Sequence, residues 1–82
     1  MSDQIWPSEY EEIIRRHLPL AGPVPLQSED QLVDLGLDSL ATVAALIDLE
    51  DGFAVTVPDE LLVAETFTSV GSLWTVIAGL RY

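Results

Sequence analysis

The sequence predicts an all-α fold: a small bundle of three long helices and one short helix. Two observations predict it. Apolar residues recur at helical spacing in three separate segments, and each of these segments begins beside a residue that can cap a helix. The one segment that alternates like a strand, 53–57, has no partner strand, and we interpret it as an extended connector. The length of 82 residues suits one domain, which we expect over 1–82.

The first helix is predicted over about 9–18. Ser8 can cap it, and Glu11 stands three residues later in a capping-box arrangement. Pro19 cannot continue a helix and ends it. The residues at helical spacing are Tyr10, Ile13, Ile14 and Leu18.

Residues 19–38 form a predicted loop, because they contain three prolines and two glycines and keep no sustained period. Loops of more than about 12–15 residues are uncommon in compact domains and are usually functional or disordered. Ser28 followed by Gln31 predicts one helical turn inside the loop. We expect apolar residues to hold the loop on the core, namely Leu20, Val24, Leu26, Leu32 and Leu35.

The second helix is predicted over about 39–51, with Asp38 as its cap and Gly52 as its stop. It is apolar nearly all round, and a small domain can bury only one stripe of such a helix, so the other stripe is a candidate docking surface. Spacing alone does not decide between them. One stripe is Thr42, Ala45, Leu46 and Leu49, and the other is Leu40, Val43, Ala44 and Ile47.

Two further helices are predicted in the last third of the chain. Pro58 followed by Asp59 and Glu60 is a strong helix start, and it predicts a short third helix over about 59–64. Ser69 caps the last helix, predicted over about 69–80. Its apolar stripe is Val70, Leu73, Trp74, Ile77 and Leu80.

The composition excludes several classes of function. With 14 Asp and Glu against three Arg and no Lys, the net charge of -11 repels a phosphate backbone, so nucleic acid is excluded as a partner. The absence of Cys excludes disulfides, thiolate nucleophiles and cysteine metal sites. Neither a signal peptide nor a stretch of roughly 18 apolar residues is present, and we expect a cytoplasmic protein with no membrane partner.

No catalytic residue and no metal site are predicted. His17 is the only histidine and stands at a helix end, where a structural role is expected. Ser39 does not lie in a nucleophile elbow, since Leu37 and Ala41 occupy the positions that require glycine. The carboxylates that end the second helix lack the alternate spacing of a calcium loop, which favours a solvated acidic surface at Asp48, Glu50 and Asp51.

The segment 35–40 reads Leu-Gly-Leu-Asp-Ser-Leu and carries the strongest functional signal. Ser39 stands in the first turn of a helix after a long loop and a capping Asp38, where unpaired amides and the helix dipole favour a phosphate. This placement is typical of an attachment point. From the residues alone, a plain helix start remains the alternative for Ser39.

At these residues the sequence resembles the acyl carrier protein family, including the peptidyl carriers, whose attachment motif reads Asp-Ser-Leu. The resemblance continues through 49–53, 57–60 and 68–70, and covers roughly 8–80. It implies an acyl-carrier-like four-helix bundle that has no catalytic activity of its own. It also implies that Ser39, preceded by Asp38, receives 4'-phosphopantetheine from coenzyme A through a Mg²⁺-dependent transferase. The terminal thiol of that arm would hold acyl or aminoacyl groups as thioesters.

The resemblance further implies that partners recognise the start of the second helix. They would include a phosphopantetheinyl transferase, an acyl- or aminoacyl-loading ligase or acyltransferase, and a ketosynthase or other acyl-processing enzyme. The carrier itself would be a monomer. The stripe of Thr42 and Leu49 would then face the core, and the residues expected to face partners are Leu40, Val43, Ala44, Ile47, Glu50 and Asp51.

The second helix departs from the pattern of fatty-acid carriers, which usually have acidic residues in its first turns. This chain has Ala41, Ala44 and Ala45 there. The departure favours a carrier of a polyketide or related specialised-metabolite pathway, and we expect a freestanding carrier. An aminoacyl or peptidyl carrier of a nonribosomal peptide pathway is the alternative, and a helical interaction module without a prosthetic group is a further one.

Overall fold

The computed structural model describes residues 6–81 and confirms the all-α fold within that range. Three α-helices are present: α1 (Ser8–Arg15), α2 (Ser39–Phe53) and α3 (Val70–Arg81). Two short 3-10 turns, Val33–Leu35 and Asp59–Leu61, lie between them. None of these helices is long and apolar enough to cross a membrane. The prediction that the chain has no signal peptide concerns its first residues, and residues 1–5 lie outside the described range.

The ends of α1 and α2 differ from the predicted bounds. The predicted Ser8 cap is wrong: Ser8 is the first residue of α1, Pro7 holds the capping position, and no side chain caps the helix there. The predicted first helix ran to residue 18, but α1 ends at Arg15 and continues into tighter turns, in which the Leu18 amide bonds to the Arg15 carbonyl. Pro19 has no amide to give that carbonyl the bond of a continuing α-helix.

The predicted stop at Gly52 is also wrong, since α2 runs on to Phe53 and Ala54 takes the left-handed conformation at φ 54°. Gly52 instead permits close packing, as a Cβ there would lie 2.7 Å from Ile13 Cδ1.

The predicted third helix over 59–64 is replaced by the 3-10 turn Asp59–Leu61. Leu62 leaves helical backbone at φ -86° and ψ 65°, and the Thr66 hydroxyl donates to the Leu61 carbonyl at 2.6 Å, so the chain continues in turns. The helical turn predicted at Ser28 is displaced to Val33–Leu35. At the predicted position, Asp30 instead closes a turn with Gln27, whose amide donates to the Asp30 carboxylate at 2.8 Å.

One apolar core joins the helices and the loops between them. Tyr10 is fully buried and donates from its hydroxyl to the Val70 carbonyl at 2.6 Å, and this burial raises the pKa of the phenol. Its ring lies 5.1 Å from the Trp74 ring, centroid to centroid. The helices contribute most of the core, and the loops add Leu18, Ala21, Leu26, Leu32, Leu37 and Val57.

The long loop is tied to the start of α3 through its backbone. Gly71 permits this approach, since a Cβ there would lie 2.0 Å from the Ser28 hydroxyl oxygen. Residues 28–32 therefore run beside residues 68–71. The amide-to-carbonyl bonds are Gly71 to Ser28 at 2.9 Å, Val70 to Asp30 at 3.0 Å and Leu32 to Thr68 at 3.1 Å.

Candidate functional site

Ser39 is the first residue of α2 and its side chain is exposed. Asp38 is extended and caps the helix, because its Oδ1 accepts from the Ala41 amide at 2.8 Å. The Asp38 carbonyl accepts from the Thr42 hydroxyl at 2.7 Å and reinforces the first turn. Within residues 6–81 no group hydrogen-bonds to the Ser39 hydroxyl, so the cap is complete without it and the hydroxyl is available for reaction.

A tight turn delivers Ser39 to the surface. Gly36 adopts φ 100°, which only glycine tolerates well, and its amide donates to the Val33 carbonyl at 3.2 Å. Leu37 is buried and its amide donates to the Leu32 carbonyl at 3.1 Å. The chain is therefore anchored two residues before Ser39, and the serine projects from a fixed base.

The electrostatics at this helix end fit a phosphate ester on Ser39. The N-terminus of a helix of 15 residues carries partial positive charge, and the first turn of α2 holds no acidic residue. The chain supplies a hydroxyl at a helix end, and the Asp38 carboxylate next to it binds the Ala41 amide. Among the described residues no cluster of three His, Asp or Glu side chains is arranged to hold a metal ion.

The two apolar stripes of α2 have separate environments. Ala45 is 3% exposed and Leu49 is fully buried, with Thr42 and Leu46 half-buried beside them. The opposite stripe lies in solvent next to Ser39, and we call it the outer face. Its members are Leu40, 84% exposed, Val43 and Ile47, both 57% exposed, and the exposed Ala44.

The two carboxylates expected beside the outer face differ in their surroundings. Asp51 is exposed. Glu50 is half-buried, and its Oε2 accepts from the Val57 amide at 2.8 Å, which ties the connector after α2 to the helix. One oxygen of the Glu50 carboxylate therefore holds the fold, and its contact with partners stays a prediction. The connector alternates like a strand, but that pattern predicts only extended backbone, so the sequence held no signal for this contact.

His17 pairs with Asp48 in a contact that no sequence pattern predicts. His17 Nε2 lies 2.6 Å from Asp48 Oδ2 and joins the turn after α1 to the middle of α2. The structural role expected for His17 agrees with this pairing, whereas Asp48 is not simply a solvated carboxylate. The two residues are 31 positions apart, and only the packing of the helices brings them together.

A known protein family and a known protein sequence each match most of the chain. A family model described as "Phosphopantetheine attachment site" matches residues 11–77. Acyl carrier protein 2, chloroplastic, from Spinacia oleracea is 33% identical over 70 residues, which is 85% of this chain and 52% of that protein. The chain thus spans about half the length of this curated relative.

Solved carrier proteins share the fold. One comes from the crystal structure of an engineered Bradyrhizobium japonicum glycine:[carrier protein] ligase complexed with carrier protein from Agrobacterium tumefaciens and AMP. It has a TM-score of 0.75 and 28% identity over 87% of this chain and 96% of that chain. A second comes from the Bradyrhizobium japonicum ligase complexed with its cognate carrier protein and an analogue of glycyl adenylate. It has a TM-score of 0.71 and 25% identity over 89% of this chain and 99% of that chain.

Proposed function

Since the chain belongs to the acyl and peptidyl carrier protein family, whose members bear a covalently attached 4'-phosphopantetheine, we propose that Ser39 is the residue that bears it. The family membership confirms the resemblance found in the sequence. The observation that carries the proposal is the exposed Ser39 hydroxyl at the N-terminus of α2, left unbonded by the Asp38 cap.

The residues of this chain hold and present the prosthetic group and catalyse nothing. Ser39 supplies the oxygen for the phosphate ester, and the N-terminal amides of α2 stabilise its charge. Asp38 keeps the first turn of α2 closed while Ser39 enters a transferase. The arm supplies a thiol, which this chain lacks, for thioester attachment. Tethering keeps a bound substrate at high effective concentration for successive enzymes.

We propose the outer face as the surface that partner enzymes recognise. Leu40 and Ile47 are large, apolar and exposed beside Ser39, and such contiguous exposure in a small domain is typical of an interaction surface. Asp51 and the net charge of -11 add attraction for Arg or Lys on the partner. Matching partners are a phosphopantetheinyl transferase and a loading ligase or acyltransferase with an apolar pocket and a basic rim.

The cargo we propose is an acyl or aminoacyl group of a specialised pathway. The lack of acidic residues in the first turn of α2 supports a role outside primary fatty acid synthesis. Similarity to carrier proteins complexed with glycine:[carrier protein] ligases supports an aminoacyl-loading ligase as a partner, so aminoacyl cargo is the first alternative to test against a polyketide-type acyl group. Cytoplasmic location and a monomeric state stay predictions.

Intact mass tests the attachment site. The purified chain is incubated with coenzyme A, Mg²⁺ and a phosphopantetheinyl transferase of broad specificity. Wild type is expected to gain one phosphopantetheine and Ser39→Ala none. Ser8→Ala is the matched control, because Ser8 is also the exposed first residue of a helix, and it is expected to be modified as fully as wild type. An unmodified but folded wild type would refute the carrier role and favour an interaction module.

A second experiment separates the two classes of cargo. The modified protein is offered to a glycine:[carrier protein] ligase with glycine and ATP, and in parallel to an acyl-loading enzyme with its acyl donor. Intact mass then reports which thioester forms. A glycyl adduct alone supports aminoacyl cargo, and an acyl adduct alone supports the polyketide-type role.

A further inference from the structure

The segment 19–24 lies between α1 and the turn that delivers Ser39, and we infer that it is a brace which holds that turn in the form that partner enzymes accept. We call residues 19–24 the brace and residues 36–39 the attachment turn. Arg15 and Gly36 are the positioning residues at the two ends of the brace. The inference rests on the proposed role of Ser39 and adds to it the residues that fix its presentation.

Arg15 fixes the brace to α1. Its guanidinium donates to the Gly22 carbonyl at 2.7 Å and also to the Val24 carbonyl. Glu11, one turn earlier in the helix, holds the same guanidinium at 2.9 Å. The planar fork of an arginine can satisfy a carboxylate and two carbonyls in fixed directions, which a lysine cannot. Arg15 therefore sets the path of the brace relative to α1.

The other end of the brace contacts the attachment turn at Gly36 and the residue before it, Leu35. The Leu20 amide donates to the Leu35 carbonyl at 2.9 Å. Pro19 packs on the backbone of Gly36, because a Cβ at Gly36 would lie 2.8 Å from Pro19 Cγ and 2.9 Å from Pro19 Cδ. Gly36 is thus required both for its φ of 100° and for the space that Pro19 fills.

Polar contacts rather than burial hold most of the brace. Ala21 is its only buried residue, and Leu20 is 69% exposed. Loss of the Arg15 contacts therefore frees a segment that has little apolar packing to retain it. Gly36 is three residues before Ser39, so a brace that moves allows the attachment turn to sample other conformations. If a partner enzyme binds only the braced form, its KM for the carrier rises in inverse proportion to the fraction of molecules in that form.

Arg15→Gln tests the brace, with Arg16→Gln as its matched control. Both variants remove one positive charge, but Arg16 is exposed, and among the described residues no hydrogen bond or ion pair joins its side chain to the brace. At a temperature where circular dichroism shows both chains folded, Arg15→Gln is expected to raise the transferase KM about 3- to 10-fold with kcat retained. Amide exchange of Leu20 and Ala41, monitored by NMR, is expected to accelerate in that variant alone.

Gly36→Ala tests the same turn from its other side and covers the case in which Arg15→Gln fails to fold. We expect a rise in KM at least as large, because the new Cβ displaces Pro19 and strains the backbone. The double variant Gly36→Ala with Pro19→Ala removes the two proline atoms in conflict and is expected to recover part of the loss. Recovery in the double variant would show that the contact with the brace, and not φ alone, sets the turn.

Three outcomes would overturn the inference. A folded Arg15→Gln chain with the KM of wild type would show that the brace does not position Ser39. Equal changes in the two arginine variants would reduce the effect to net charge, and unchanged exchange of the Ala41 amide would show that the turn is stable without Arg15. A wild type that accepts no phosphopantetheine would refute the proposed function instead, and the Ala41 exchange would then decide the brace by itself.

Discussion

The buried and outer faces of α2 carry side chains of similar chemistry in opposite surroundings. Leu49 and Ala45 lie in the core, whereas Leu40 and Ile47 are more than half exposed on the other side of the same helix. Hydrophobicity therefore does not determine which side of α2 is buried. The buried side is the one that packs on the core shared by the helices and loops, and Gly52 lets α1 approach α2 closely there, since Ile13 occupies the space of a side chain.

The comparison of the two faces also separates stability from recognition. Burial of a face stabilises the domain, while exposure of an equally apolar face leaves free energy to be gained when a partner covers it. Substitutions on the buried face should then change the free energy of unfolding, and those on the outer face should change loading by partner enzymes.

The largest effect is expected from truncation of the buried face. Leu49→Ala removes a fully buried side chain and leaves a cavity, which is expected to lower the free energy of unfolding by about 2–5 kcal/mol. Ile47→Ala truncates a side chain of the same size on the outer face and is expected to change the free energy of unfolding by no more than about 0.5 kcal/mol. Urea unfolding monitored by circular dichroism measures both. Equal losses in the two variants would break the distinction between the faces.

The next largest effect is expected at the carboxylate pair near the end of α2. Glu50→Ala leaves the Val57 amide without its partner and is expected to cost about 1–3 kcal/mol of unfolding free energy. Asp51→Ala, at the exposed neighbour, is expected to stay within about 0.5 kcal/mol in the same urea experiment. If Glu50→Ala kept its stability but were loaded poorly by partner enzymes, Glu50 would act in recognition and not in holding the connector.

The elements that local chemistry controls were predictable from the sequence. Asp38 caps α2 as its residue type and position predict, and the apolar spacing of α1 and α3 identifies their buried sides. The family was also predictable, because the Asp-Ser-Leu motif that carries the resemblance is contiguous in the sequence. The same local reasoning placed the stop of α2 at Gly52, although that glycine serves the packing of two helices and Ala54 makes the turn.

The features that the sequence did not reveal all depend on contacts between separate segments. Asp48 meets His17, and Glu50 meets the Val57 amide, only once α1, α2 and the connector have packed. The prediction of a short third helix was wrong for a related reason: Pro58 provides a strong start, but the Thr66 hydroxyl binds the Leu61 carbonyl and the chain leaves helical backbone at Leu62. Start signals are local, whereas the end of a short element depends on the contacts that later residues make with it.

A charge on the outer face is expected to impair loading without loss of stability. Ile47→Arg places a cation where we propose an apolar pocket of the partner, and kcat/KM for the transferase is expected to fall about tenfold, equivalent to about 1.4 kcal/mol. Glu12→Arg, on the exposed side of α1, is the control for the change of charge. Loss of helical content in Ile47→Arg, or equal losses of kcat/KM in the two variants, would contradict the assignment of the outer face.

The smallest effect is expected from salt, and it separates the contribution of the apolar outer face from that of the exposed Asp51 carboxylate beside it. Raising the ionic strength from about 0.05 M to about 0.5 M is expected to lower kcat/KM for loading a few-fold, because screening weakens attraction between carboxylates and a basic partner. Asp51→Asn should flatten this dependence. Ile47→Ala should lower kcat/KM at every salt concentration and keep the wild-type slope, since apolar contact is not screened. If the salt dependence of kcat/KM changed in Ile47→Ala and not in Asp51→Asn, the partner would bind charged groups elsewhere on the carrier.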